Sequence, residues 1–266
     1  MKRIKNLCLR ILPEMLLLII KKFYYARALK MVCEKDEVDL KVIKHLVENG
    51  DHVIDIGANI GVYTKFLSEW VGVHGQVFSI EPIPQTFKIL CSNVKKLRLR
   101  NVILMNYAIS ENNAVVTMEI PFYKTGGRNF YQAKIIDKDT DADNSNYIKI
   151  YSKTIDSLFS ELSHNNISFI KCDVEGHEIS CIRGATNVIK NSRPAWLIEI
   201  SGDPDEINST AYQSFQKLIR EGYAPYWFDG TNLKLRHFGD KSVNYFFLTP
   251  NHLGVLKSKS DLLTTR

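Results

Sequence analysis

Val53-Ile-Asp55-Ile-Gly57-Ala-Asn59-Ile-Gly61-Val-Tyr63 is the stretch whose reading decides the fold. A short β-branched run, His52–Ile56, meets two glycines that accept backbone angles or contacts a side chain forbids, and helical apolar spacing follows over Tyr63–Trp70. This predicts a strand, a tight backbone cradle and a helix N-terminus, where free N–H groups can meet a polar ligand. Working outward, Leu40–Glu48 reads as a helix, Asn49–Asp51 as a turn, Gln76–Glu81 as a second strand, Pro84–Leu97 as a helix and Val102–Asn106 as a third strand. Ser168–Asp173 and Ala195–Ile200 supply a fourth and fifth strand, and Thr154–Leu162 and Ala211–Glu221 read as helices. Strands alternating with helices of this length build βαβ units, so the expected class is α/β, Rossmann-like, with a mostly parallel seven-stranded sheet. Ala224–Phe228 and Tyr245–Leu248 flank a turn at Asp229–Asn232 and predict an antiparallel C-terminal hairpin. Ala114–Pro121 and Tyr147–Tyr151 read as extra strands around a polar insertion, Lys124–Ser145.

A chain of 266 residues, 45% hydrophobic, can bury a full core. The expected organisation is a basic, amphipathic helical extension over residues 1–39, one domain over 40–254 and a tail over 255–266. Cys8, Cys33, Cys91, Cys172 and Cys181 are odd in number and never spaced Cys-x-x-Cys, which argues against a disulfide framework or a zinc cage and fits a reducing compartment. The cluster Lys95, Lys96, Arg98 and Arg100 carries no nucleic-acid motif, so no nucleic-acid partner is expected. Met15–Ile20 is apolar but closed by Lys21–Lys22 and far shorter than the roughly 20 residues of a membrane span. It also lacks the layout of a secretory signal. The expected location is cytoplasmic, with two uses open for the helix: packing on the domain, or peripheral contact with an anionic membrane face.

In open α/β sheets, ligands bind beyond the carboxyl ends of the strands. That places the chemistry at Asp55–Tyr63, Glu81–Pro84 and Asp173–Glu178. Asn59 stands where a Gly-x-Gly-x-x-Gly binder would carry its second glycine, which disfavours the alternative of an NAD-linked oxidoreductase. Glu81 ends the second strand, where a carboxylate accepts hydrogen bonds from the hydroxyls of an adenosine ribose.

Four segments occur in an order that resembles the FkbM family of class I methyltransferases: Asp55-Ile-Gly-Ala-Asn-Ile-Gly-Val-Tyr63, Ile80-Glu-Pro82, Asn106-Tyr-Ala-Ile-Ser110 and Lys171-Cys-Asp-Val-Glu-Gly-His-Glu178. The similarity covers roughly residues 50–250. Its more particular part is the Asp-Val-Glu-Gly-x-Glu segment, followed by Gly184 and by the strand ending in Glu199. The resemblance implies a class I methyltransferase fold and S-adenosyl-L-methionine as cofactor. It also implies that Asp55, Gly57, Asn59 and Gly61 line the methionine part, Glu81 the ribose, and Asn106 with Ala108 the adenine edge, with Tyr63 a further cofactor-binding residue. Family members are mainly O-methyltransferases of sugars, glycolipids, polyketides and related metabolites, so a saccharide, glycolipid or small-molecule acceptor is implied.

Methyl transfer from a sulfonium is an in-line displacement, in which the protein aligns the acceptor and excludes water. A protonated hydroxyl is a poor nucleophile, so a general base or an acidifying metal helps. Asp173 and Glu175, two apart in an extended stretch, are the expected acceptor-pocket residues, with His177 as a further candidate base. Glu178 reads equally as a carboxylate at a helix N-terminus. Asp173 and Glu199 end neighbouring strands and are positioned to share a divalent ion, although a metal is not the favoured reading. Asp137, Asp139, Asp141 and Asp143 lack the glycine and glutamate of a calcium loop and read as a solvated insertion. Lys124–Phe130 reads as either a lid or a plain hairpin, and Trp196, Tyr226, Trp227 and Phe228 as either sugar platforms or core. A cofactor-holding module without catalysis, in a polysaccharide-assembly complex, is the other alternative.

Overall fold

The computed structural model describes residues 14–122, 128–136, 146–161 and 166–263. Cys8, the basic residues before Pro13, the Lys124–Gly127 part of the expected lid and the acidic run Asp137–Asp143 lie outside the described residues.

Helix α1 (Glu14–Met31) precedes α2 (Leu40–Leu46), and the alternating unit follows: β1 (His52–Ile56), α3 (Val62–Val71), β2 (Gln76–Ile80), α4 (Pro84–Leu97) and β3 (Val102–Met105). A side unit of β4 (Ala108–Ile109), β5 (Ala114–Glu119), β6 (Lys134–Ile136) and β7 (Tyr147–Lys153) forms its own four-stranded sheet in the order β4-β7-β5-β6. The main sheet resumes with α5 (Ile155–Glu161), β8 (Phe169–Cys172), α6 (Glu178–Arg183), α7 (Thr186–Asn191), β9 (Ala195–Glu199) and α8 (Thr210–Arg220). It ends with β10 (Ala224–Phe228), β11 (Leu233–Leu235), β12 (Asn244–Leu248) and α9 (Pro250–Lys259).

The main sheet runs β11-β10-β12-β9-β8-β1-β2-β3, parallel from β9 to β3. It has eight strands where seven were expected, because the turn after β10 leads not to β12 but into short β11, which adds an edge. The two strands expected as a hairpin do pair antiparallel, yet β11 separates them in sequence. Leu233–Leu235 is too short to announce itself as a strand; Leu233 is held by its N–H, which donates to Leu262 O near the C-terminus. The helix α9 runs through residue 254, so the expected domain boundary falls inside it, with Leu256 buried.

Alternation along the strands builds two apolar layers. Ile54, Ile56, Phe78, Ile80, Ile170 and Trp196 face α5 to α8, whereas Val53, Val77, Phe169 and Phe246 face α2, α3 and α9. Each such side chain, fully buried, contributes about 1.5–3 kcal/mol of transfer free energy. Trp196 is fully buried, which places it in the core rather than on a sugar platform. Helix α1 packs one side on α4, with Ala26 and Leu29 buried. No helix among the described residues is long and apolar enough to cross a membrane.

Candidate active site

The β1–α3 turn is held from three directions. Gly57 and Ala58 N–H both donate to Ile80 O at 3.0 Å, tying it to β2, and Asp173 N–H donates to Ile56 O at 3.2 Å, tying it to the end of β8. Gly57 has φ +72°, and a Cβ there would stand 1.9 Å from the Asp173 carbonyl oxygen. No side chain fits: the cradle exists because the β8 turn crosses it at backbone distance. Gly61, at the N-terminus of α3, closes the turn by donating to Ala58 O at 2.8 Å.

Glu81 sits at the end of β2, almost wholly buried. Its two oxygens accept the N–H groups of Asn59 (3.0 Å) and Ile83 (2.9 Å), so one carboxylate fixes both loops of the cradle. Burial pushes its pKa up to about 7 against the lowering effect of those two donors. Asn106 donates from its amide to the Glu81 and Pro82 carbonyls at 2.8 and 2.9 Å and so locks the turn's backbone, while Ala108 lines the cleft beside it. Met118 and Ile135, from the side sheet, complete an apolar wall that sequence reading missed. Sheet residues this far along the chain carry no local mark of facing a ligand.

Asp55 takes a different place from the cleft lining. It is fully buried on the α3 side of β1, where it accepts from Thr64 Oγ1 at 2.6 Å; Thr64 also bonds Ser79 at 2.9 Å. The parallel register sets Asp55 opposite Ser79 on one neighbour and Lys171 on the other, a polar row across an otherwise apolar sheet face. Burial raises the Asp55 pKa, which the Lys171 charge opposes. Lys171 is the main residue that sequence reading left without a role. Its ammonium donates to Asp173 Oδ2 at 3.0 Å and to Gly57 O at 3.4 Å, and lies 5.1 Å from the centre of the Tyr63 ring. Burial alone would lower its pKa, but the Asp173 and Asp55 carboxylates outweigh that and raise it. A lysine in the run Phe169-Ile-Lys-Cys172 was the available signal: a cation in a buried strand requires a paired anion.

The β8 end supplies Asp173, Val174 and Glu175 to the same cleft as Gly57, Asn59 and Glu81. Glu175 and Gly176 both take positive φ, +53° and +96°, so the chain turns sharply there, and Glu175 holds a backbone conformation uncommon for a non-glycine residue. Burial, then the nearby Asp173 carboxylate, raises the Glu175 pKa; Glu199, at the end of β9, is raised by the same two causes. Glu37, from the loop after α1, reaches the Tyr63 side chain and feels the Lys171 charge. His177 stands off the cleft lining, at the N-terminus of α6, with Nε2 3.0 Å from Ser110 Oγ. Glu178 opens α6 and accepts from Gly176 N–H at 2.7 Å, its pKa raised to about 7 by burial. Gly184, beyond that helix, is held so close to the Ser110 backbone that a Cβ would stand 2.2 Å from its carbonyl oxygen. Among the described residues no group of three or more His, Cys, Asp or Glu side chains is placed to hold a metal ion.

Residues 55–225, well over half of the chain, match the family model of the methyltransferase FkbM domain. The chain belongs to the FkbM methyltransferase family. This FkbM methyltransferase is 26% identical over 182 residues to the hexuronic acid methyltransferase AglP of Haloferax volcanii, covering 68% of this chain and 69% of that protein. It is also 26% identical over 151 residues to a probable cobalt-precorrin-6B C(15)-methyltransferase (decarboxylating) of Sulfurisphaera tokodaii, covering 56% and 79% respectively. Among solved structures it is similar to a methyltransferase FkbM from Methylobacillus flagellatus KT, at 18% identity and TM-score 0.48, over 74% of this chain and 43% of that one, less than half its length.

The family's cofactor is S-adenosylmethionine, and the residues present fit it. Gly57 leaves the cradle open to backbone approach, Asn59 Oδ1 is buried without a partner, and Glu81 offers carboxylate lone pairs beyond the two backbone bonds it accepts. The apolar wall of Ile83, Ala108, Met118 and Ile135 suits a flat base.

Proposed function

We propose that this FkbM methyltransferase methylates an oxygen of a saccharide or glycolipid headgroup, a hydroxyl in the first instance. The observation that carries the reading is the opening of Asp173 and Glu175 into the cleft that Gly57, Asn59 and Glu81 form at the cofactor end. The similarity to a hexuronic acid methyltransferase supports a saccharide acceptor. Bound S-adenosylmethionine supplies an electrophilic methyl group on a sulfonium. Gly57, Asn59 and Glu81 orient the nucleoside and amino-acid parts, and Asn106 keeps the Glu81 turn rigid. Lys171 matters for a second reason. A bare carboxylate beside a sulfonium would stabilise the charged ground state more than the charge-dispersed transition state, and the Lys171–Asp173 ion pair removes that penalty. Glu175 receives the acceptor's proton. Its raised pKa brings it nearer the working pH, where a base is most effective.

Purified chain incubated with methyl-labelled S-adenosylmethionine and a panel of uronic-acid oligosaccharides and glycolipids tests this. Label that survives mild alkali marks an ether on a hydroxyl; label released as methanol marks an ester and moves the acceptor to a carboxylate. Tight S-adenosylhomocysteine binding with no saccharide or glycolipid labelled sinks the proposal.

A further inference from the structure

Helix α1 carries large apolar side chains on both of its long sides. One side is used by the fold, where Ala26 and Leu29 are buried against α4. Leu16, Ile19, Ile20, Phe23 and Tyr24 recur at i, i+3, i+4, i+7 and i+8 and form one stripe, 42–68% exposed. The stripe continues into Arg27, Lys30 and Met31, all exposed. Lys96 of α4 places its ammonium 4.0 Å from the centre of the Phe23 ring, so the basic end of α4 borders the stripe.

Charge identifies the partner. Residues 1–30 hold eight Lys or Arg and one acidic residue, Glu14, a local +7 that exceeds the chain's net +6 and leaves the remainder at −1. A second copy docked stripe to stripe would bring two basic helices together about a two-fold axis, each with Lys21, Lys22, Arg27 and Lys30 against the single Glu14, like charge on like charge. Anionic headgroups neutralise them instead. We propose that the stripe of α1 lies in the interface of an anionic lipid bilayer, with its apolar side chains among the acyl chains and its lysines and arginines against the headgroups. The helix is tied to the active-site end of the molecule: Lys65 of α3 donates to Val32 O at 2.7 Å just beyond α1, and Glu37 follows. The inference does not depend on which acceptor is methylated.

Sedimentation of the full chain with phosphatidylcholine vesicles, and with equimolar phosphatidylcholine and phosphatidylglycerol vesicles, tests it. Preferential binding to the anionic vesicles is expected, weakening as salt rises from about 0.1 to about 0.5 M. Arg27→Gln with Lys30→Gln lowers partition about 25-fold, at roughly fivefold per charge. Ile19→Ser with Phe23→Ser lowers it about tenfold or more. Unchanged melting temperature and S-adenosylhomocysteine affinity show that each variant is folded; should the Ser pair misfold, the Gln pair decides. Equal binding to neutral and anionic vesicles, no binding, or a dimer that the Ser pair dissociates overturns the proposal.

Discussion

The two walls of the cleft are built by different means. The cofactor wall is backbone: a glycine where the Asp173 carbonyl leaves no room for a Cβ, two N–H groups on Ile80 O, and Glu81 holding both loops. The proposed acceptor wall is charge: Asp173 and Glu175 line it, Lys171 pairs with Asp173 behind the lining with Asp55 and Glu37 near its charge, and Glu199 is raised by burial like Glu175. A backbone site tolerates few substitutions because every position is a steric condition. A charged site tolerates changes of shape but not of balance, since its energies come from pairing.

The sharpest way to break this comparison is Glu175→Gln. Loss of the base should lower methyl transfer about 100- to 1,000-fold at neutral pH while S-adenosylhomocysteine affinity, read by calorimetry, stays within about twofold. Equal losses in both would merge the two walls into one. Next, Gly57→Ala should lower cofactor affinity about 100-fold and stability by about 3 kcal/mol, because its methyl group meets backbone that cannot move without unseating Asp173.

Glu81→Gln should weaken S-adenosylhomocysteine about 10- to 50-fold, the value of a charge-assisted hydrogen bond. Its pH behaviour sharpens the test. Burial raises Glu81 from 4.5 to about 7 in the folded chain, so the native state binds its proton more tightly than the unfolded state does. Its contribution to stability is therefore fully present below about pH 4.5 and is lost as pH rises to about 7. The melting-temperature difference between wild type and Glu81→Gln should change across that window, and a flat difference counts against a buried, proton-holding carboxylate. The smallest effect belongs to His177→Gln. With its ring on Ser110 and off the cleft lining, transfer should fall threefold or less, at a cost of about 1 kcal/mol in stability; a loss of 100-fold would return His177 to the chemistry.

The backbone wall was readable in the sequence and the charged wall only partly. Gly57, Asn59 and Gly61 lie within five residues, and Glu81 closes the next strand, so their spacing alone implies a nucleoside cradle. The bounds of the strand His52–Ile56 and of the helix Pro84–Leu97 were legible for the same reason, being set by local pattern. Lys171 became interpretable only through register, since its partner Asp55 is 116 positions earlier and its neighbour across the sheet. Glu37 carries no mark until α2 brings its loop back to Tyr63. Asp55 shows the converse: its motif is plain, but the face of the strand it occupies puts it under α3, holding Thr64, rather than in the lining.

The double-sided helix α1 also has a consequence in time. Its packing partner α4 begins more than fifty residues later in the chain, and Lys171, whose charge reaches Glu37, later still. At roughly 5–20 residues per second, synthesis leaves α1 with neither side covered for several seconds. If the outer stripe binds a membrane as proposed, capture in that interval would shield the nascent chain from self-association before folding is complete.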